Sequence, residues 1–433
     1  MVTKSNKSAN WQRLFDEYHL LETIHRDGYA DITSQQIKDL DNLEPRLLGK
    51  IDHKENLPEV FAKNELSILT ISNSAYRIGP FDIFQNLPEW RIPGSEVRKL
   101  PTPSTYETLN FRKLTSEPQV INAANVSEVL ETFFGEKTEL TISGKHRTPE
   151  FEFKVNLVGG GVQKLTVSKA QIEIDAGYEG TNAFYILEAK NHAASNFNLR
   201  QLYYPYRTWK SRIKKPVVPI FLTYSNDVFD FFKFEFERED DFSSAHLTKH
   251  GRFMLSHESI TTKDLDNLAN VDLEELRPGD TPFPQADSFE RVVDLVAILL
   301  DESSMTQNEL AEHYAFDPRQ SDYYWNAARY LGLANSEEGV DGVTLRVATE
   351  RAHNIFSLEY REKYLALAKL VFSIPGVQDL YLEWRKNGKP SEVKARQLVE
   401  ISKNGRSYSE STITRRMQTV IAWTNWLICL PKT

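Results

Sequence analysis

Hydrophobic and polar positions along this chain change period several times, and each change marks an element. From residue 11 to 25 apolar residues recur at helical spacing (Leu14, Phe15, Tyr18, Leu21, Ile24), and Gly28 is placed to end that helix. Thr33-Ser34-Gln35-Gln36 carries the reciprocal capping pattern and opens a short helix to Leu40. Residues 44–51 predict a third helix. Residues 66–72 and 75–78 predict two strands about a polar turn at Asn73-Ser74. Helix, helix, helix, hairpin is the order of a winged helix-turn-helix, and equally of other small α+β domains. Residues 81–118 are rich in proline and predict irregular linking structure.

The middle of the chain changes to strand periodicity. An amphipathic helix over 125–134 carries Glu128 and Glu131. Strands follow at 150–156 and 163–168, joined through Gly159-Gly160-Gly161, then at 171–176, ending at Asp175. After the turn 177–180 comes the strand 184–191, a basic aromatic helix over 198–213, and strands at 216–224 and 228–237. The last part returns to helical spacing. Helices are predicted at 289–300, at 307–313 behind a Thr306…Glu309 capping box, and at 319–331, stopped by Gly332. A turn at 339–342 and a strand at 343–347 complete a second helix, helix, helix, wing order. A helix over 390–403, a break at Gly405 and a Ser407…Glu410 capping box precede the final helix. That helix gathers Ile413, Met417, Val420, Ile421 and Thr424 on one face and leaves Thr412, Arg415, Arg416 and Thr419 elsewhere. Two helices about a short glycine turn, the second bearing Arg and Thr near its start, match a DNA-reading helix-turn-helix more closely than a plain packing helix.

Composition narrows the class. The 433 residues are 40% hydrophobic and 26% charged, which suits ordered globular domains, two to four of them at about 100–200 residues each. The breaks in pattern divide the chain at 1–117, 118–287 and 288–433. No run of about 18 apolar residues predicts a membrane span, and residues 1–10 lack an apolar signal core, so a cytoplasmic protein is expected. The single cysteine, Cys429, leaves no internal disulfide and no cysteine-based zinc site within one chain. The formal charge is −9, but it is uneven. Residues 191–216 hold six Lys/Arg and no Asp/Glu. Residues 221–302 hold 7 basic and 19 acidic residues, and residues 376–433 hold 10 and 5. Two basic regions with interleaved aromatics favour a phosphate-rich partner. Within them Arg200, Arg207 and Lys210, and later Thr412, Arg415 and Arg416, are the candidate DNA contacts.

The chemistry concentrates in the strand 184–191. Period-two geometry places Glu188 and Lys190 on one face and Ala189 on the other. Asp175, at the end of the neighbouring strand, pairs beside Glu188. Two carboxylates and the Ala189 carbonyl are hard oxygen donors suited to Mg2+. Lys190 would hold or deprotonate an attacking water. Glu173, two residues before Asp175, shares its face and is a possible extra ligand. No nucleophile constellation joins Ser127, His146 and Cys429, and the triple glycine lacks the Lys-Ser/Thr of a nucleotide loop.

The run Ile174-Asp175 … Ile186-Leu187-Glu188-Ala189-Lys190 resembles the D…ExK signature of the PD-(D/E)XK nuclease superfamily, over about residues 118–240. The chain as a whole resembles a type II restriction endonuclease with winged-helix domains. The resemblance implies an α/β (α+β) multidomain fold, with a restriction-endonuclease-like mixed sheet flanked by helices. It implies Asp175 and Glu188 as metal ligands and Lys190 as the catalytic lysine. Glu131, or failing it Glu128, would be the acid from the preceding helix. Gln201 with Tyr204 or Tyr206 is similar to the family's Q-and-Y helix motif, at a different spacing, and Ile174 stands where the motif has proline. A homodimer acting on double-stranded DNA, and a methyltransferase protecting the same site, are implied likewise. A non-catalytic DNA-binding regulator and a modification-dependent nuclease remain the alternatives.

Overall fold

The computed structural model describes residues 4–40, 42–88, 97–103, 106–111, 114–255, 259–276, 281–313, 318–339, 342–402 and 406–432. These form a mixed α/β chain whose central feature is a seven-stranded sheet. Its strands run in the order Arg98–Leu100, Ala245–Leu255, Val228–Phe236, Val217–Ser225, Phe184–Lys190, Gln171–Gly180, Thr138–Arg147. The sheet is mixed because Phe184–Lys190 pairs antiparallel with Gln171–Gly180 and parallel with Val217–Ser225. A parallel neighbour needs a crossover, and the helix Arg200–Lys210 supplies it. Strand Phe184–Lys190 is buried along its whole length, as expected for a central parallel strand.

Two compact units divide the chain. The first comprises Met1–Glu89, Ser116–Tyr224 and Phe229–Gly251, and the second Trp90–Thr115, Ser225–Val228 and Arg252–Thr433.

The first unit opens with helices Lys4–Glu17 and Leu20–Asp27 rather than one helix, because His19 takes a left-handed conformation at φ 50°. Gly28 closes the second helix at φ 83°, with its N–H on the Ile24 carbonyl. Thr33 and Gln36 form the predicted capping box. The hairpin Ser67–Ser72 and Ala75–Gly79 gains a third strand, Ala30–Thr33, in the order first, third, second. That strand is too short to show a period in the sequence. Trp11, Phe15 and Phe61 meet edge-on in the core beneath. The predicted hairpin 150–168 forms as Phe151–Asn156 and Val162–Val167, a separate two-stranded sheet. Its inward residues Phe151, Phe153, Val155, Leu165 and Val167 share a core with Tyr203 and Tyr204 of the crossover helix.

The expected helix at 125–134 is in fact two. Glu117–Val126 ends at Ser127, Glu128 turns left-handed at φ 61°, and Val129–Phe134 follows. The first begins inside the stretch read as linker. Pro118 lies in its first turn, where a missing N–H costs nothing.

The second unit is mostly helical. Helices Phe289–Glu302, Gln307–His313 and Pro318–Tyr330 precede the hairpin Ala334–Glu338 and Thr344–Ala348. Helix Thr262–Ala269 precedes them, and helices Glu350–Phe356, Tyr360–Phe372, Val377–Asn387, Glu392–Ile401 and Glu410–Cys429 follow. Trp423 is buried at its centre and donates from Nε1 to the Ala286 carbonyl. Ser409, not Ser407, caps the last helix through the Thr412 N–H. The predicted break at Gly405, the end of the 390–403 helix at Lys403 and residues 340–341 of the predicted turn lie outside the described residues. No single helix among the described residues is long and apolar enough to cross a membrane.

Candidate functional site

Strand pairing builds the site. The antiparallel register runs from Phe184 opposite Glu179 to Leu187 opposite Ala176. One further step sets Asp175 opposite Glu188. There the ladder gives way to a side chain: the Ala189 N–H donates to Asp175 Oδ2 at 2.8 Å. Glu188 and Lys190, two apart, share a face, and Lys190 Nζ donates to Glu188 Oε1 at 2.6 Å. Ile186, Leu187 and Ala189 are buried around them. Asp175, Glu188 and Lys190 therefore converge as the sequence predicts.

Two further groups close on this trio. Gln201, at the start of the crossover helix, donates from Nε2 to the same Glu188 oxygen. Among the described residues its own Oε1 is buried without a hydrogen-bond partner. Glu117, in the first turn of helix Glu117–Val126, lies 3.5 Å from Lys190 Nζ.

Burial sets the electrostatics. Desolvation pushes the Glu188 carboxyl up to about 8, against the pull of Lys190 and with a further push from Asp175. Desolvation likewise raises Asp175 to about 6, partly offset by Lys190 and by the Ala189 N–H. Burial alone would discharge Lys190. Glu188, Glu117, Asp52 and Asp175 outweigh it and hold the ammonium charged well above its ordinary range. Carboxylates outnumber cations in this buried space, so it favours an added positive charge.

The donors gathered here are oxygens, the class that hard divalent ions take. Asp175 and Glu188 offer carboxylate oxygens, Ala189 offers a carbonyl, and the unpartnered Gln201 Oε1 is a neutral oxygen nearby. Among the described residues no three His, Cys, Asp or Glu side chains group as ligands of one ion. A main-chain carbonyl, an amide or water would therefore have to complete the shell.

The other candidate residues are placed variously. Glu131 lies on helix Val129–Phe134, and among the described residues no hydrogen bond or ion pair joins it to the trio; the helix carboxylate beside Lys190 is Glu117. Glu128 is the left-handed residue before that helix. Glu173 is exposed opposite Lys145, and its charge reaches Asp175. Arg200 follows Asn198 at the foot of the crossover helix, with its guanidinium over the Tyr204 ring. Lys210 is exposed. Arg207 is occupied within the fold: its Nη1 donates to the Glu152 and Glu239 carbonyls and to Tyr203, and its chain lies over Phe151. Tyr204 bonds the Thr70 carbonyl and Tyr206 tilts on Phe236, so neither joins Gln201.

In the second unit Arg415 is exposed and Thr412 half-buried. Arg416 and Thr419, expected on the open face, are buried. The Arg416 guanidinium stacks over Tyr408, 4.1 Å from its ring centre. The sequence misassigns these two because the last helix is covered on more than one side.

Glu117 is the residue that sequence reasoning missed. The signal was present: Ser-Glu-Pro is a helix start, with proline in the first turn.

Comparison with known families divides the chain in three. Residues 8–78 match a domain of unknown function, DUF6996; residues 79–254 match DUF6997; residues 291–432 match DUF7226. The site trio, Glu117 and Gln201 lie within the second match. No curated protein and no solved structure matches the chain.

Proposed function

We propose that the chain is a Mg2+-dependent, sequence-specific endonuclease of double-stranded DNA, similar to a type II restriction enzyme. One observation carries the reading: Asp175, Glu188 and Lys190 stand together at the edge of two paired strands, with Asp175 on the Ala189 N–H and Lys190 on Glu188. An ordinary strand ion pair requires neither the aspartate nor the burial.

In this reading Asp175, Glu188 and the Ala189 carbonyl would hold the ion, whose chemistry there would be Lewis acidity and charge neutralisation at the phosphate. Lys190 orients the attacking water through its ammonium. Gln201 and Lys190 fix the Glu188 carboxylate, so its free oxygen keeps one direction. Glu117, 3.5 Å from its Nζ, steadies Lys190 as well.

The two helix-rich ends are the DNA-reading elements of the proposal, as winged-helix and helix-turn-helix units. Arg200, Lys210, Thr412 and Arg415 contact DNA, with lysine and arginine charges on phosphates. Cleavage of both strands of a palindrome requires two such sites, hence a homodimer. A methyltransferase of the same specificity protects host DNA.

The test is digestion of mixed phage and plasmid DNA, methylated and unmethylated, with Mg2+ or with EDTA. Linear products that need Mg2+ and share an end sequence are expected. Intact DNA in every arm would remove the reading and favour a non-catalytic DNA-binding regulator. Cutting of methylated DNA alone would identify a modification-dependent enzyme.

A further inference from the structure

The loop after the short helix Pro45–Gly49 is fastened to the strand Asn196–Asn198, which follows the site strand in the chain. Asn198 donates its backbone N–H to the Asp52 carbonyl at 2.8 Å and its side-chain amide to the Ile51 carbonyl at 3.0 Å. Asn196 accepts the Lys54 N–H on its side-chain oxygen at 2.8 Å and donates to both Glu55 carboxylate oxygens. Within this fastening two imidazoles meet. His53 is 4% exposed, and its Nε2 stands 3.3 Å from Nε2 of His192. His192 lies two residues beyond Lys190 and is half-buried.

The other nitrogen of His53 is already used. Its Nδ1 is 2.7 Å from the Asn196 carbonyl, and a carbonyl only accepts, so Nδ1 carries the proton. In the neutral ring Nε2 then turns a lone pair toward His192. A backbone carbonyl on the rear nitrogen is the arrangement that orients a metal-binding histidine.

The spacing decides between a direct hydrogen bond and a shared ion. At Zn–N distances of about 2.0–2.1 Å, two nitrogens at a tetrahedral angle stand about 3.3–3.4 Å apart, and the centres of rings aimed at one ion stand about 5.1–5.3 Å apart. Here the nitrogens are 3.3 Å apart and the ring centres 5.2 Å apart, with the planes at 67°. A direct bond would exceed the about 2.7–3.2 Å of ordinary N–H···O hydrogen bonds, and rings in line along it would have centres about 5.6 Å apart. Imidazole nitrogens suit Zn2+, Co2+ or Ni2+ rather than Mg2+. Among the described residues no third His, Cys, Asp or Glu groups with the pair, so water completes the shell.

We propose that His53 and His192 together bind one transition-metal dication of the Zn2+ class, which clasps the N-terminal segment to the chain just beyond the site strand. The two ligands come from regions matched by separate family models, residues 8–78 and 79–254. The site is independent of the nuclease reading, because its donors are nitrogens, whereas those of Asp175, Glu188 and Ala189 are oxygens.

The experiment titrates the metal-stripped full chain with Zn2+ by calorimetry, in excess Mg2+ to occupy oxygen sites. Wild type is expected to take one Zn2+ per chain. Asp175→Asn should keep that affinity within about twofold, and His192→Ala should weaken it about tenfold or more. Equal affinity in wild type and His192→Ala overturns the proposal, as does no binding at all. Loss of binding in Asp175→Asn with retention in His192→Ala places the ion at the carboxylates and overturns it equally. If His192→Ala does not fold, wild type decides: bound Zn2+ should protect His192 from ethoxycarbonylation, mapped by mass spectrometry, and an unprotected His192 overturns the proposal. Hydrogen exchange tests the clasp. Zn2+ should slow exchange of the Lys54 and Asn198 amides about tenfold, since binding to the closed form alone opposes opening. Unchanged exchange with Zn2+ bound contradicts the clasp. None of these readouts needs cleavage, so a chain that cuts no DNA leaves the test intact.

Discussion

Glu117 Oε1 lies 3.5 Å from Lys190 Nζ, although the two residues are 73 positions apart. Glu117 is the first residue of its helix, and its side chain is 38% exposed, whereas Lys190 is 7% exposed. The carboxylate therefore links a buried ammonium to the solvent side of the site. Glu117→Gln keeps the shape and removes the charge. We expect it to lower cleavage about tenfold or more, since groups that orient a catalytic side chain typically contribute that much. Glu131→Gln, one helix further on, should leave the rate within about twofold. A plasmid-nicking time course with both variants checks this, and the reverse ranking would restore Glu131 as the acid.

Lys190→Ala should abolish cutting and spare DNA binding. Its removal takes the cation from Glu188 but leaves the Gln201 hydrogen bond in place, and Glu188 is already disposed to hold a proton. The strand therefore stays folded. Circular dichroism and a DNA mobility shift should match wild type, while cleavage falls below detection. Full cleavage by the variant contradicts the mechanism.

Asp175→Asn tests the ion through stability. Burial raises the Asp175 carboxyl from 3.8 to about 6 in the fold. A carboxyl raised on folding stabilises the protein below its unfolded value, and that contribution is lost as pH rises through the folded one. Above about pH 6 the ionised Asp175 thus costs up to about 3 kcal/mol. Asparagine carries no such cost and still accepts the Ala189 N–H. The variant should melt several degrees higher than wild type at pH 8, with the difference shrinking toward pH 4. Added Mg2+ should raise the wild-type melting temperature at pH 8 and leave the variant nearly unmoved. A thermal-shift series over pH and Mg2+ measures both.

The trio was legible because strand geometry is simple. Period two sets Glu188 beside Lys190, and a short turn after the Gln171–Gly180 strand sets Asp175 opposite. The hairpin 150–168 was legible for the same reason. What was not legible depends on partners distant in sequence. Arg207 reads as a free cation among aromatics, yet it bonds two backbone carbonyls more than 30 residues away in either direction. The strand Ala30–Thr33 has only four residues and exists by pairing with Ala75–Gly79. Glu117 was hidden by a proline read as a breaker when its position, in a first turn, made it a starter.

Arg415 and Arg416 are adjacent in sequence and opposite in environment, so they separate binding from folding. Arg415 is exposed on the last helix. Arg415→Ala should leave stability unchanged and weaken DNA binding. If it holds one phosphate, the slope of log affinity against log salt should fall by about one. Arg416 is 6% exposed and stacked on Tyr408, and among the described residues its Nε and Nη1 are buried without hydrogen-bond partners. Arg416→Ala removes that stacked side chain from a packed interior, and core truncations of this size cost about 2 kcal/mol. Its effect on DNA binding should therefore follow from loss of folded protein and vanish when affinity is corrected for the folded fraction. Paired denaturant curves and salt-dependent binding isotherms give both quantities. A large salt-slope change for Arg416→Ala with unaltered stability would reverse the assignment and make the buried guanidinium the phosphate contact.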